Sequence, residues 1–172
     1  MKDLKYLFAY TVPLSVYVSF ISSGLWTFSS VFYVFIVIPL LDLIFGEAKE
    51  NLSDDELSSI DHKWIFDLML YLNFPIVFGL LSLILYNIHT QSYEIYELVG
   101  LAVSSGILLA TNGINVAHEL GHRKPLFDRL MSQALYLPCL YMHFYIEHNF
   151  GHHLKVATPE DGATAKFNQS VY

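Results

Sequence analysis

Apolar residues run along this chain in long unbroken blocks, not in the stripes of a water-soluble amphipathic helix. From Tyr6 to Gly46 the only formally charged residue is Asp42; from Trp64 to Tyr93 it is Asp67; from Leu98 to Ala117 there is none. A helix of about 20 apolar residues crosses ~30 Å of hydrocarbon. The first block is long enough for two crossings, with a break at Ser22-Ser23-Gly24. The pattern predicts an all-α polytopic membrane protein with four spans, at about 6–22, 26–45, 65–88 and 97–119. Residues 1–172 form one membrane domain, ending in a histidine-rich region at 118–172.

Composition agrees with a bilayer environment. The chain is 54% hydrophobic and 15% charged, against about 25% charged residues in soluble domains. The net charge of −7 comes largely from one loop, where Glu47, Glu50, Asp54, Asp55, Glu56 and Asp61 face only Lys49 and Lys63. That is a solvated loop, and His62 within it is solvated too. There is no basic patch, so nucleic acid is excluded as a partner. The single cysteine, Cys139, permits no internal disulfide. No small-residue cleavage pattern ends the first apolar block.

Lysine and arginine mark the cytoplasmic side. With the N-terminus inside, Lys2, Lys5, Lys49, Lys63, Arg123 and Lys124 are all cytoplasmic, and the outer turns carry no Lys or Arg. Residues 125–146 are long enough to cross again but contain Asp128, Arg129, Gln133, Pro138 and His143. They read as an interfacial or re-entrant helical segment, tolerated where protein or water satisfies the backbone. All nine Lys and Arg are then cytoplasmic, as expected of a bacterial inner-membrane protein, and the histidines on either side of the segment share one face.

Five of the eight histidines lie within that region, in HELGH (His118, His122) and EHNFGHH (His148, His152, His153). On a helix His118 and His122 share a face one turn apart. His148 and His152 repeat the spacing, and His153 adds a neighbouring direction. These five are the expected metal ligands. HELGH fits the H-E-x-x-H signature of zinc proteases, with Glu119 as general base. Five imidazoles exceed a four-coordinate zinc site and suit two metals; imidazole also binds iron. Glu119 and Glu147 each neighbour a ligand and either orient an imidazole from behind or cap a helix end. His143 reads as interfacial or as a supporting residue. Asp42, an acid at the inner end of a span, is a functional candidate. His89 lies at the opposite end. Thr158-Pro159-Glu160-Asp161 reads as a helix start, with Thr158 as N-cap. Gly100, Ser104 and Ser105 read as small residues for close helix packing.

Taken in order, NGINVAHELGH, HFYIEHNFGHH and VATPEDGATAKFNQSVY resemble the integral-membrane alkane hydroxylases, the non-haem di-iron branch related to fatty-acid desaturases and xylene hydroxylases. PLLD at residues 39–42 adds to the likeness. The second box, H-x-x-x-H-H, is similar to the hydroxylase form; desaturases usually show H-x-x-H-H. Phe150 stands where the family commonly has a basic residue, and Gly162 where proline is common. The resemblance implies terminal hydroxylation of medium- or long-chain alkanes to 1-alkanols with O2. It implies two irons held by these histidines, and electrons from rubredoxin and its reductase. Family members continue with two more spans and a third histidine box, so the chain is expected to be the N-terminal part of a longer hydroxylase. Its second iron site would be incomplete and the segment inactive alone. Two other readings stand beside this one: a desaturase or other hydroxylase of a hydrophobic substrate, and a membrane zinc protease.

Overall fold

The computed structural model describes residues 2–46 and 64–170, and no strand occurs among them. The acidic loop, with His62, lies outside the described residues. Three helices are long and apolar enough to cross a membrane: α2 (Gly24–Phe45), α3 (Trp64–Thr90) and α4 (Ile95–Gly121). They follow a shorter apolar helix, α1 (Lys5–Ile21). The chain opens in a 3-10 coil over Lys2–Tyr10 and turns α-helical over Thr11–Ile21.

Beyond α4 the stretch 125–146 is not one helix. α5 (Leu126–Tyr136) has 11 residues, about 16 Å at 1.5 Å per residue, half of a hydrocarbon core. It stops where Leu137-Pro138-Cys139 forms a 3-10 turn and Leu140 takes a left-handed conformation, φ 53°. A last helical run, α6 (144–155), carries the second histidine box.

α4 is the hub. Its Leu101, Leu108, Ala117 and Leu120 are buried against Val16 and Phe20 of α1, Val77 of α3, and Leu135 and Tyr136 of α5. The outer faces carry exposed Leu14, Phe35, Leu43, Leu85 and Val99. In a bilayer such side chains are solvated by lipid, so helix contact must come from close packing and polar pairing. Both are present. A Cβ on Gly100 would stand 2.3 Å from Thr27 Oγ1 and 2.8 Å from the Phe28 ring, so only glycine admits the start of α2 there. Ser30 Oγ donates to Ser104 Oγ at 2.8 Å, and Ser104 Oγ to the Thr27 carbonyl at 2.9 Å. Ser105 Oγ donates back to the Leu101 carbonyl. Such interhelical bonds average about 0.6 kcal/mol in membranes. At the end away from the histidines, Glu97 Oε1 accepts the Gly24 N–H and Asn87 donates to the Phe20 carbonyl.

Three segments widen into π-helix: Tyr33–Val37 in α2, Leu109–Ile114 in α4 and Glu147–His152 in α6. The first lies just before Pro39, which has no N–H to give; Ile38 N–H reaches back to the Tyr33 carbonyl instead. The other two precede or contain the histidine boxes.

Candidate metal centre

The last turns of α4 present His118 and His122. Their rings meet edge to face at 4.6 Å, with Nε2 atoms 3.0 Å apart. α5 and α6 bring the second box to them. Ser132 Oγ of α5 donates to the Ala117 carbonyl at 2.6 Å. A Cβ on Gly121 would lie 3.1 Å from Ser132 Oγ and 3.3 Å from Tyr145 Cδ2, so the glycine between the two histidines admits both neighbours. His148 then reaches across, its Nε2 2.6 Å from that of His118. One ligand atom from each of His118, His122 and His148 lies within 4.8 Å of the other two. His153 Nε2 is 3.0 Å from His148 Nε2.

This convergence follows from the π-helical turn. The i, i+4 spacing pairs His148 with His152 on a regular α-helix. Over Glu147–His152 the bonding is i→i+5, and the His153 N–H donates to the His148 carbonyl. The turn holds roughly one residue more than the 3.6 of an α-helix, so His153 comes under His148. His152 stays stacked beside His148, with ring centroids 5.5 Å apart, but its Nδ1 turns to Asp161 Oδ2 at 2.8 Å.

Aromatic rings set the orientation of His148. Phe144 lies flat on it, with centroids 4.8 Å apart and planes 16° apart, and Tyr141 stacks on Phe144 in turn. Burial first, and then the surrounding imidazoles, push the His148 pKa down to about 4. The shift favours the neutral ring, the form that ligates a metal. Two of the three spacings match one metal ion: two nitrogens ~2.1 Å from one ion at right angles lie roughly 3.0 Å apart, as His118–His122 and His148–His153 do, while His118–His148 at 2.6 Å is closer. Imidazole nitrogens brought together in this way are an iron, zinc or copper donor set.

The remaining candidates fall elsewhere. Glu119 points to Arg123, 3.6 Å from its Nε. Arg123 also binds Asp67 Oδ1 at 2.6 Å and lies 3.7 Å from Asp128 Oδ2, joining α3, α4 and α5 beside the histidines. Tyr71 donates to Asp128 at 2.7 Å. Asp128, which in sequence only argued against a fifth span, is thus a buried structural residue. Glu147 lies beside Gly151, and the exposed His143 sits edge-on to Tyr141. Asp42 is exposed in the last turns of α2, and His89 ends α3. Residues 158–161 form turns, not the expected helix start. Thr158 donates to the Lys155 carbonyl rather than capping a helix, and the carboxylate expected in a first turn is turned to His152. A cavity of about 540 Å³ runs beside the centre between α1, α3 and α4, walled by Tyr10, Met69, Asn73, Asn112, Val116 and Glu119.

Residues 96–172 match the family model for fatty acid desaturases. The chain is 39% identical over 138 residues to the alkane 1-monooxygenase of Pseudomonas putida, covering 79% of this chain and 34% of that protein. It is 37% identical to alkane 1-monooxygenase 1 of Alcanivorax borkumensis over 79% of this chain and 33% of that one. It is 31% identical to the xylene/toluene monooxygenase hydroxylase component of Pseudomonas putida over 62% of this chain and 30% of that one. The chain spans about a third of the length of these curated relatives. With a desaturase-type domain over residues 96–172, the chain is a homologue of the alkane 1-monooxygenases.

Proposed function

We propose that the protein is the iron-binding part of an oxidoreductase that hydroxylates the terminal methyl group of alkanes with O2. The observation that carries the reading is the meeting of imidazole Nε2 atoms from two separate histidine boxes on α4 and α6. His118, His122, His148 and His153 are the ligands around one position. His152 turns toward a second. Bound iron would supply the redox chemistry that activates O2 toward an unreactive C–H bond, which zinc lacks. The chain's own residues aim the imidazoles, shield His148 with Phe144, and surround the centre with helices whose apolar faces admit a hydrocarbon from the bilayer. The names of the relatives support alkanes as substrate. The zinc-protease reading has less support, because Glu119 is paired with Arg123 beside the centre.

The same reading takes α1 as a fourth span. Six residues of 3-10 coil at about 2.0 Å each and 11 of α-helix at about 1.5 Å reach roughly 29 Å, close to the hydrocarbon thickness. Residues 1–172 then form one membrane domain, with the N-terminus and both boxes cytoplasmic, where rubredoxin and its reductase deliver electrons. The test is the full-length protein given octane, O2 and a reductant. It is expected to hold about two irons and form 1-octanol. Zinc without iron, together with peptide hydrolysis abolished by Glu119→Gln, would overturn the reading.

A further inference from the structure

The turn after α6 is built around one carboxylate. Asp161 is 8% exposed in a segment whose neighbours are almost all exposed. Its Oδ1 accepts the Ala163 N–H at 3.0 Å, and its Oδ2 accepts the Thr164 hydroxyl. The Thr164 oxygen receives the Ala157 N–H at 3.0 Å. Ala157 has φ 65°, a left-handed conformation that a non-glycine residue keeps only where its surroundings hold it. These bonds close the turn by themselves. The contact from Oδ2 to His152 Nδ1 at 2.8 Å is not needed for it. The Thr164 hydroxyl above all, with the Ala163 amide and His152, holds the Asp161 carboxyl below the usual carboxylate range.

We propose that Asp161 is the positioning residue of His152: by accepting the Nδ1–H it fixes the ring's tautomer and rotation, leaving Nε2 as the only nitrogen free to bind metal. The proposal rests on the metal-centre reading above. It gives Thr158-Pro159-Glu160-Asp161 a role in the centre, and it accounts for the orientation of the His152 ring, which stacks beside His148 with its Nδ1 on the carboxylate. An imidazole free to flip presents either nitrogen; a carboxylate behind Nδ1 removes that choice and raises the basicity of Nε2.

The test is cobalt(II) binding to the full chain in lipid nanodiscs, followed by its visible absorption bands. Asp161→Ala is expected to weaken the binding lost in His152→Ala by about 10–100-fold and to shift the bands. In the His152→Ala background it should cause no further loss, because it acts through that ring. Thr164→Val, which loosens the turn but leaves the carboxylate, should leave the bands in place. Asp161→Asn keeps the size and one acceptor, so it should shift the bands in the same direction to a smaller extent; it carries the test if the alanine variant does not fold. Parent-like affinity and bands in both Asp161 variants would overturn the proposal, as would an equal loss in Thr164→Val. If His152→Ala itself binds cobalt like the parent, the assignment of His152 as a ligand fails, and the positioning role with it. If His152→Ala loses binding and Asp161→Ala does not, only the positioning role fails.

Discussion

Single residues separate into those that meet at the centre and those that merely lie near it in sequence. His148 and His143 are five positions apart, yet one has its Nε2 2.6 Å from that of His118 and the other sits edge-on to Tyr141. His153→Ala is therefore expected to weaken metal binding by more than the 10–100-fold typical of losing a partner behind a ligand, while His143→Ala leaves it unchanged. Isothermal titration with cobalt(II) reads both. Equal losses would mean that the convergence of Nε2 atoms does not define the site. Gly100 governs packing instead. Gly100→Leu must displace Thr27 or Phe28 and should destabilise the α2–α4 contact by about 1–3 kcal/mol, read as lower resistance to unfolding in detergent; parent-like resistance would show that the helices can part without cost.

At the scale of elements, the π-helical turn of α6 decides which histidines face each other. H-x-x-x-H-H on an i→i+5 turn brings its first and last histidines together, as H-x-x-H-H does on an α-helix. Deleting Phe150 converts one spacing into the other. The deletion is expected to regularise α6 and keep His148 opposite His153, with cobalt(II) affinity within about tenfold of the parent, a change of about 1.4 kcal/mol or less. Inserting an alanine after Phe150 lengthens the turn beyond any regular helix and should abolish binding at that cluster. If insertion is tolerated and deletion is not, the helical register is not what aligns the rings. The break between α5 and α6 carries its own prediction: a segment whose longest helix covers half a bilayer is expected to return to the side it left. Reporters fused after Lys124 and after Lys155 of the full-length protein should both report the cytoplasm, and a periplasmic signal at Lys155 would place the two boxes on opposite faces.

For the whole molecule, ligand atoms of His118, His122 and His148 gather within 4.8 Å, His153 Nε2 adjoins His148, and on the proposed reading His152 begins a second position. The 172 residues expressed alone are expected to insert in the membrane, because the apolar helices are present, but not to turn over octane. A metal with too few ligands at an open face binds weakly and exchanges with water. Gas chromatography for 1-octanol, with rubredoxin and its reductase supplied, checks this. Sustained turnover lost in His152→Ala would show that the centre is complete within these residues.

The pattern of charges along the chain was enough to read apolar, membrane-length helices, and the density of histidines was enough to point to a metal. Charge-free blocks of this length dissolve in hydrocarbon, and a backbone there must satisfy its own hydrogen bonds. Histidines packed this densely are a metal-ligand pattern already in the sequence. The small residues of α4 were legible too, since close helix approach in lipid needs them. Which imidazoles meet was decided only by the tertiary structure. Regular helical spacing pairs His148 with His152, whereas the widened helix brings His153 Nε2 to 3.0 Å from His148 Nε2 and leaves the His152 ring stacked alongside. The roles of Asp161, Asp128 and Arg123 were hidden for the same reason. A carboxylate or guanidinium takes its function from what packs against it, and those partners, His152, Tyr71 and Asp67, lie between 9 and 57 positions away.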